Sequence, residues 1–388
     1  MAREAVIVGV GDVPLEDGKV VGCGSVLQVQ ARAAKAALDD AGIPMSEVDG
    51  LLCAGLWGVP GPGQLPTVTL GEYLGIHPRF VDATNIGGSA FEAHVAHAAM
   101  AIERGYCDVA LVVYGSTQRS ERSRSLGGRP ATLTMQFENI WGIPQPVGGY
   151  ALAARRHMHE HGTTEEQLAE IAVATRKWAQ LNPQATRKED MTIDDVMASM
   201  PIADPLKLFD CCLVTDGAGA VVVTTAENAK AVGRKSAYVR GFGEAHTHWS
   251  IGAMPDLARL TAAEMSGTTA FKMAGVSHDA IDLVECYDSF TITVLLTLEA
   301  LGFAERGAGG EFVSNQRTAP GGDFPLNTNG GGLSYCHPGM YGIFLLIEAV
   351  RQMRGEAGER QVEGVETALV HGTGGTLSSG ATVILANS

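Results

Sequence analysis

Short β-branched runs alternate along the chain with Ala-rich stretches in which apolar residues recur at helical spacing. This pattern predicts an α/β fold around a mixed or parallel sheet. Ala5–Val10 reads as the first buried strand. Gln28–Ala41 follows as an amphipathic helix ended by Gly42 and Pro44, and Val48–Ala54 as the next strand. Ala90–Arg104 is a second helix, stopped by Gly105, that feeds the strand Asp108–Tyr114. From about residue 116 to 205 the pattern gives way to a segment richer in Arg, Pro, His and charge, with a helix at Glu165–Gln180 closed by Asn182 and Pro183. Strand character returns at Asp216–Thr225, and a second set of elements opens near Tyr238.

The two sets match. Asp108–Ser116 (DVALVVYGS) has a counterpart in Glu366–Gly375 (ETALVHGTGG), each after a long helix. Asp216–Thr225 (DGAGAVVVTT) has one in Ser378–Asn387 (SSGATVILAN). These pairs predict duplicated α/β halves related by a pseudo-twofold axis. Residues 1–115 and 206–235 make the first half, 236–388 the second, and 116–205 an inserted cap.

Charge narrows the functional classes. The chain of 388 residues carries 28 Lys and Arg against 43 Asp and Glu, a net charge of −15, which argues against a nucleic-acid binder. Charged residues make up only 18%, below the roughly 25% of an average globular protein, so much of the surface is expected to face protein. The apolar runs Ile292–Leu298 and Ile343–Val350 fall well short of the roughly 18 residues of a membrane span. Glu4 interrupts the first apolar stretch, and Gly9 and Gly11 follow at once, which suits a strand and turn rather than a signal peptide. Seven Cys without CxxC spacing suit reduced core thiols, so a cytoplasmic location is expected.

Three strand-to-helix junctions concentrate chemistry. Asn85-Ile-Gly-Gly-Ser-Ala90 and Asn327-Thr-Asn-Gly-Gly-Gly-Leu-Ser-Tyr-Cys-His-Pro338 each place Gly and polar residues at a helix start, where free N–H groups and the dipole favour negative charge. The second leads into a helix predicted over Tyr341–Met353. If the halves are duplicated, these two junctions face each other near the axis. Val284-Glu-Cys-Tyr-Asp-Ser-Phe290 ends a strand and opens a helix over Thr291–Leu301.

These residues resemble the thiolase superfamily, in its sterol-carrier-protein branch, over nearly the whole chain. VECYDSF is similar to that branch's His-Asp-Cys-Phe segment, and NTNGGGLSYCHPG to its Asn-(Ser/Thr)-x-Gly-Gly…Gly-His-Pro segment. GTTEEQLAEIAVATRKWAQLNPQA and DCCLVTDGAGA resemble its cap and fifth-strand segments. The resemblance implies a thiolase fold of duplicated, αβαβα-layered halves with an inserted cap.

The departures redirect the chemistry. The family's acyl-carrying Cys, at the first junction, falls here at Gly87 or Gly88, and the His-Asp-Cys-Phe segment has become Tyr287-Asp288-Ser289-Phe290. A covalent acyl-enzyme is therefore disfavoured. The thiolase-like aldolases of steroid side-chain degradation also lack that Cys and use tyrosines. They split a β-hydroxyacyl-CoA with a tertiary alcohol into a ketone and a short acyl-CoA such as propionyl-CoA. A retro-aldol step needs a base, an enolate stabiliser and a proton donor, and no covalent carrier. On this comparison Tyr287 and one of Tyr335 or Tyr341 are the expected acid–base pair, with His337 donating to the enolate oxygen. Backbone N–H groups of Gly87 and Gly88 would add to that hole, the missing Cys side chain leaving room for a bulky substrate. Ser289 and His371 are further candidates at the site, and Asn327 and Asn329 either orient side chains or shape a turn. Arg122, Arg124 and Arg129, with Arg119 before them, form a basic patch suited to coenzyme A phosphates, to a partner's acidic edge or, as a solvated loop, to water.

Two other readings stay open: acyl transfer through a displaced thiol, Cys336 or Cys286, and a non-catalytic acyl-CoA- or lipid-binding subunit. His157-Met-His-Glu-His161 has metal-like density but suits a polar helix end, and no metal site is expected. His94 and His97 suit core or interface packing, and Gly9-Val-Gly11 lacks the third Gly of a dinucleotide loop. The resemblance implies a homodimer. It also implies a small partner subunit with a zinc ribbon and an OB-like barrel, in some cases tied to an enoyl-CoA hydratase. Any zinc would sit in that partner, and coenzyme A would enter only as part of the substrate.

Overall fold

The computed structural model describes residues 3–22, 24–54, 65–121 and 135–388; Arg122, Arg124 and Arg129 lie outside them. Nine strands form one sheet: β1 (Ala5–Asp12), β2 (Gly50–Leu52), β3 (Phe80–Asp82), β4 (Val109–Ser116), β5 (Gly217–Thr225), β6 (Ala237–His246), β7 (Leu283–Cys286), β8 (Thr367–Gly374) and β9 (Ser379–Ala386). Their order is β7-β8-β9-β6-β1-β5-β4-β2-β3. The seam is the short antiparallel pairing of β1 with β6, Val6 opposite Tyr238 and Ile7 opposite Ala237. Outward from it, each half runs antiparallel, antiparallel, then parallel. β3 extends the first half, and a single parallel bridge, Val284 to Leu326, marks the matching position in the second.

The longer helices repeat the duplication. α1 (Val26–Ala41) covers β1, and α5 (Thr261–Ala274) covers β6. Both strands carry Gly-x-Gly beneath the helix for one steric reason. A Cβ at Gly9 would lie 2.3 Å from the Ala37 carbonyl oxygen, and one at Gly241 2.3 Å from that of Ala270. The Gly9-Val-Gly11 run is thus a helix-packing device, with a twin at Gly241 and Gly243. α1 starts at Val26, ahead of the predicted Gln28, because the Ser25 hydroxyl accepts the Gln28 N–H as an N-cap.

α2 (Ala90–Glu103) and α7 (Gly342–Arg354) pack on each other and on strands of both halves. They are buried almost all round, including the polar Glu92 of α2 and Glu348 of α7. Ile343, Phe344, Leu345, Leu346 and Ile347 are all buried, each contributing roughly 1.5–3 kcal/mol relative to exposure. Between β4 and β5 the chain forms α3 (Val147–His161) and α4 (Glu165–Gln180), the latter opened by a capping box between Thr164 and Gln167. α4 packs on α6 (Thr291–Ala300) and on the turn at residues 331–335. From its end the Asn182 side chain donates to the Asn329 carbonyl at 2.8 Å, fixing the second junction from outside.

Candidate active site

Three chain segments meet where α2 and α7 begin. The turn Gly87–Ser89 leads into α2, a π turn at Gly331–Tyr335 followed by His337–Tyr341 leads into α7, and Tyr287 leaves the end of β7. Contact is close enough to require glycine on both sides. A Cβ at Gly342 would lie 2.3 Å from the Gly88 carbonyl oxygen, and a Cβ at Gly87 would lie 2.6 Å from the Gly375 nitrogen. The two helix starts expected to face each other do so.

At their meeting point the Tyr287 hydroxyl lies 2.8 Å from His337 Nε2, and the Tyr341 backbone N–H donates to the same hydroxyl at 3.1 Å. The Tyr287 ring meets His337 and Tyr341 edge-on, at centroid separations of 5.6 and 5.7 Å. Both Tyr287 and His337 are buried. A phenol that faces an imidazole and accepts an amide hydrogen bond has somewhere to send its proton and a donor that favours its anion. His337 thus faces the Tyr287 oxygen.

The space above the first junction is occupied. A Cβ at Gly88 would come within 2.0 Å of Tyr287 Cε2 and 2.6 Å of its Cζ. The room expected from the missing Cys side chain is filled by the Tyr287 ring and is not left for substrate.

The other tyrosines divide. Tyr341 brings its ring and backbone N–H to the site, but its hydroxyl donates to Asn329 Oδ1 at 2.7 Å, and its ring stacks on Phe344. Burial holds its phenol well above the usual range. Tyr335 points elsewhere. Its hydroxyl donates to Asp12 at 2.6 Å, and Asp12 is held by Arg351 at 2.6 Å. Burial, then the Asp12 charge, pushes the Tyr335 phenol well up.

The remaining candidates are packed away. His371 is fully buried, with Nδ1 2.8 Å from the Thr382 hydroxyl, and burial lowers its pKa to about 3, so the ring is neutral. It contributes its carbonyl, which accepts the Tyr287 backbone N–H at 3.0 Å. Ser289 Oγ lies 3.0 Å from the Thr293 hydroxyl in the first turn of α6. Asn327 accepts the Cys286 N–H at 2.8 Å, and Asn329 accepts that of Gly331 at 2.8 Å, so both brace the junction. Cys286 and Cys336 are buried, and desolvation pushes both thiols well above their usual pKa, which opposes a displaced thiolate nucleophile. Arg119 gives its backbone N–H to Asp216 at 3.0 Å. His157 binds Thr163 and Glu299, and His97 binds Asp82. Among the described residues no three His, Cys, Asp or Glu side chains converge as metal ligands.

Several residues that frame the site are given no role on sequence grounds. The loop bearing His337 is clamped by the Gln118 amide on the His337 carbonyl at 2.7 Å, by the Thr215 hydroxyl under its N–H at 2.9 Å, and by Tyr114 on Pro338 and Met340. Asp288 accepts N–H bonds from Gly332 and Leu333 at 2.6 and 3.1 Å, and burial raises its carboxyl to about 7. Glu92, in the first turn of α2, is fully buried, with neither oxygen hydrogen-bonded among the described residues, and desolvation raises it to about 8. A cavity of about 960 Å³ along residues 303–323 shares no residue with the Tyr287–His337 centre.

Comparison with known proteins agrees with this architecture. Residues 5–227 match the thiolase N-terminal domain, and residues 243–387 match the thiolase C-terminal domain-like family. A Mycobacterium tuberculosis 17-hydroxy-3-oxo-4-pregnene-20-carboxyl-CoA lyase is 32% identical over 98% of this chain and 99% of its own. An acetyl-CoA acetyltransferase of Methanothermobacter thermautotrophicus is 35% identical over 88% of this chain and 89% of its own. Among solved structures, the Ltp2-ChsH2(DUF35) aldolase superposes with a TM-score of 0.88 at 29% identity, covering 99% of this chain and 97% of that one. With both halves matched and the two helix starts meeting at one centre, the chain belongs to the thiolase family.

Proposed function

We propose that this protein cleaves a β-hydroxyacyl-CoA by retro-aldol chemistry, the substrate being a steroid whose side chain carries a tertiary 17-hydroxyl and a CoA thioester. The observation that carries this reading is the 2.8 Å contact between the Tyr287 hydroxyl and His337 Nε2, at a helix start that bears no nucleophile. The similarity to a lyase and an aldolase named for such reactions supports it.

As the Tyr287 proton passes to His337, the phenol oxygen takes the proton of the substrate alcohol. The bond between the carbinol carbon and the thioester α-carbon breaks, giving a ketone and a thioester enolate. The start of α2 at Gly87–Ser89 favours the negative charge of the enolate. Tyr287 then delivers its proton to the α-carbon and recovers one from His337, releasing a short acyl-CoA such as propionyl-CoA. No redox partner or covalent carrier is consumed, and coenzyme A enters only as part of the substrate.

The assembly is part of the same reading. β3 is an edge strand with Val81 46% exposed and Met100 and Tyr73 exposed nearby, which suits edge-to-edge pairing of two copies. The two-part name of the aldolase that superposes on this chain supports a small partner subunit. No helix among the described residues is long and apolar enough to cross a membrane.

The test is a product assay on a steroid 17-hydroxy-20-carboxyl-CoA thioester, with the chain alone and with its partner. A 17-ketosteroid and propionyl-CoA are expected in equal amounts. Acylation of a protein cysteine with no ketone formed would overturn the reading.

A further inference from the structure

We infer that Tyr287 has a second task, independent of proton transfer: its ring holds position 88 free of any side chain, and so decides which of two reactions the site performs. The identification of acyl transfer as the excluded reaction rests on the proposed function; the steric half does not.

The steric half is direct. A Cβ added at Gly88 would lie 2.0 Å from Tyr287 Cε2 and 2.6 Å from Cζ, far inside van der Waals contact. The ring has little freedom to retreat. Its hydroxyl is tied to His337 Nε2 and to the Tyr341 N–H, and the rings of His337 and Tyr341 pack against it at near-right angles. The Thr373 carbonyl oxygen, 2.7 Å from the same Cβ position, closes the other side. A side chain at residue 88 and a tyrosine at 287 exclude each other.

The chemical half follows from what surrounds that position. Residue 88 lies in the turn that starts α2, where the dipole lowers a thiol pKa, and Tyr287 stands between it and the buried His337 imidazole. A thiol there, with the tyrosine ring gone, would have both a helix N-terminus and a base. Its thiolate would attack a thioester carbonyl. The thiol gives its proton to His337, a new carbon–sulfur bond to residue 88 forms, the bond to coenzyme A breaks, and the coenzyme leaves as its thiol by taking that proton from His337. The buried Cys286 and Cys336 have no such setting.

Two linked measurements test this. In the first, Gly88→Ala is made in the wild-type chain and in Tyr287→Ala, and the change in Tm is compared across the cycle. Gly88→Ala is expected to lower Tm by several degrees in the wild-type background and by less than half as much in the Tyr287→Ala background, the remainder of the penalty coming from Thr373. Equal penalties in the two backgrounds would overturn the steric assignment. In the second, the Gly88→Cys/Tyr287→Ala double variant is incubated with acetyl-CoA and digested for mass spectrometry, with Tyr287→Ala as control. One added acetyl group on the peptide containing residue 88, absent from the control, is expected. A folded double variant whose introduced thiol stays unmodified would overturn the claim that Tyr287 is what withholds acyl transfer. Neither outcome depends on ketone production by the wild-type enzyme, so failure here and failure of the aldolase reading are separable.

Discussion

Two buried polar clusters flank α7, and they handle charge in opposite ways. Beside its start, Tyr287 faces the imidazole of His337, and Glu92 is buried with neither oxygen bonded among the described residues. Along its body, Tyr335 donates to an Asp12 already paired with Arg351, and Glu348 takes two bonds from Arg360 at 2.8 and 2.9 Å. In the second cluster Asp12 and Glu348 each sit against a guanidinium. The first has groups whose protons have somewhere to go. Two phenols of equal burial thus differ in their partners, and position in the motif does not distinguish them.

The sharpest way to break this comparison is to remove one hydroxyl at a time. Tyr287→Phe keeps the ring over Gly88 and deletes only the proton-transfer atom, so kcat is expected to fall about 10²- to 10⁴-fold with little change in Tm. The ring–Gly88 contact makes Phe the informative replacement, since Ala would also open the space above residue 88. Steady-state assays of ketone release, run beside thermal melts, check it. If Tyr335→Phe lost more activity than Tyr287→Phe, the assignment of roles would be reversed.

Glu92 sharpens the contrast with Glu348 through pH. Its carboxyl has a folded pKa of about 8 against an ordinary value of 4.5, because burial disfavours the charged form. The folded state therefore keeps a proton that the unfolded chain has released, and stability falls as pH rises from about 4.5 to about 8. The carboxylates and cations on the elements packed against it are engaged elsewhere: Glu348 with Arg360, Arg351 with Asp12, Arg354 with Asp40, while His371 bonds Thr382. Glu92→Gln removes the titration while keeping shape. The variant is expected to gain on the order of 3 kcal/mol relative to wild type between pH 5 and pH 8. Urea unfolding at the two pH values measures it. A flat difference would mean that Glu92 ionises freely in the folded chain.

The fold and the meeting of the junctions were legible in the chain, whereas which side chains face one another there was only partly so. Repeated strand sequences reported the duplication because both halves meet the same constraint, down to Gly9-Val-Gly11 and Gly241-Phe-Gly243 under their helices. The helix starts were legible because glycine and polar residues are required where two backbones touch. Which tyrosine faces the imidazole was not, since Tyr335 and Tyr341 flank His337 in sequence while Tyr287 reaches it from another strand. Asp12, Tyr335's partner, lies 323 residues away, and no local pattern announces it. Glu92 carries no signal within its Ala-rich helix; the packing of Gly342 and Gly372 against its carboxyl shows it to be interior.

The smallest expected effect is the most discriminating. Tyr335→Phe deletes a hydrogen bond to a charged carboxylate, worth roughly 1.5–3 kcal/mol, from a cluster whose ion pair survives. Asp12 keeps both contacts to Arg351, at 2.6 and 3.2 Å, so the variant should fold, with a modest drop in Tm. Its kcat should stay within about twofold of wild type and its pH–rate profile should not move, because Tyr335 exchanges no proton with His337. Asp12→Asn, in contrast, leaves Arg351 without its counterion and should cost more stability than the phenol does, again without changing the pH profile. A shift of the profile in either variant would join the two clusters into one proton network, and α7 would then separate nothing.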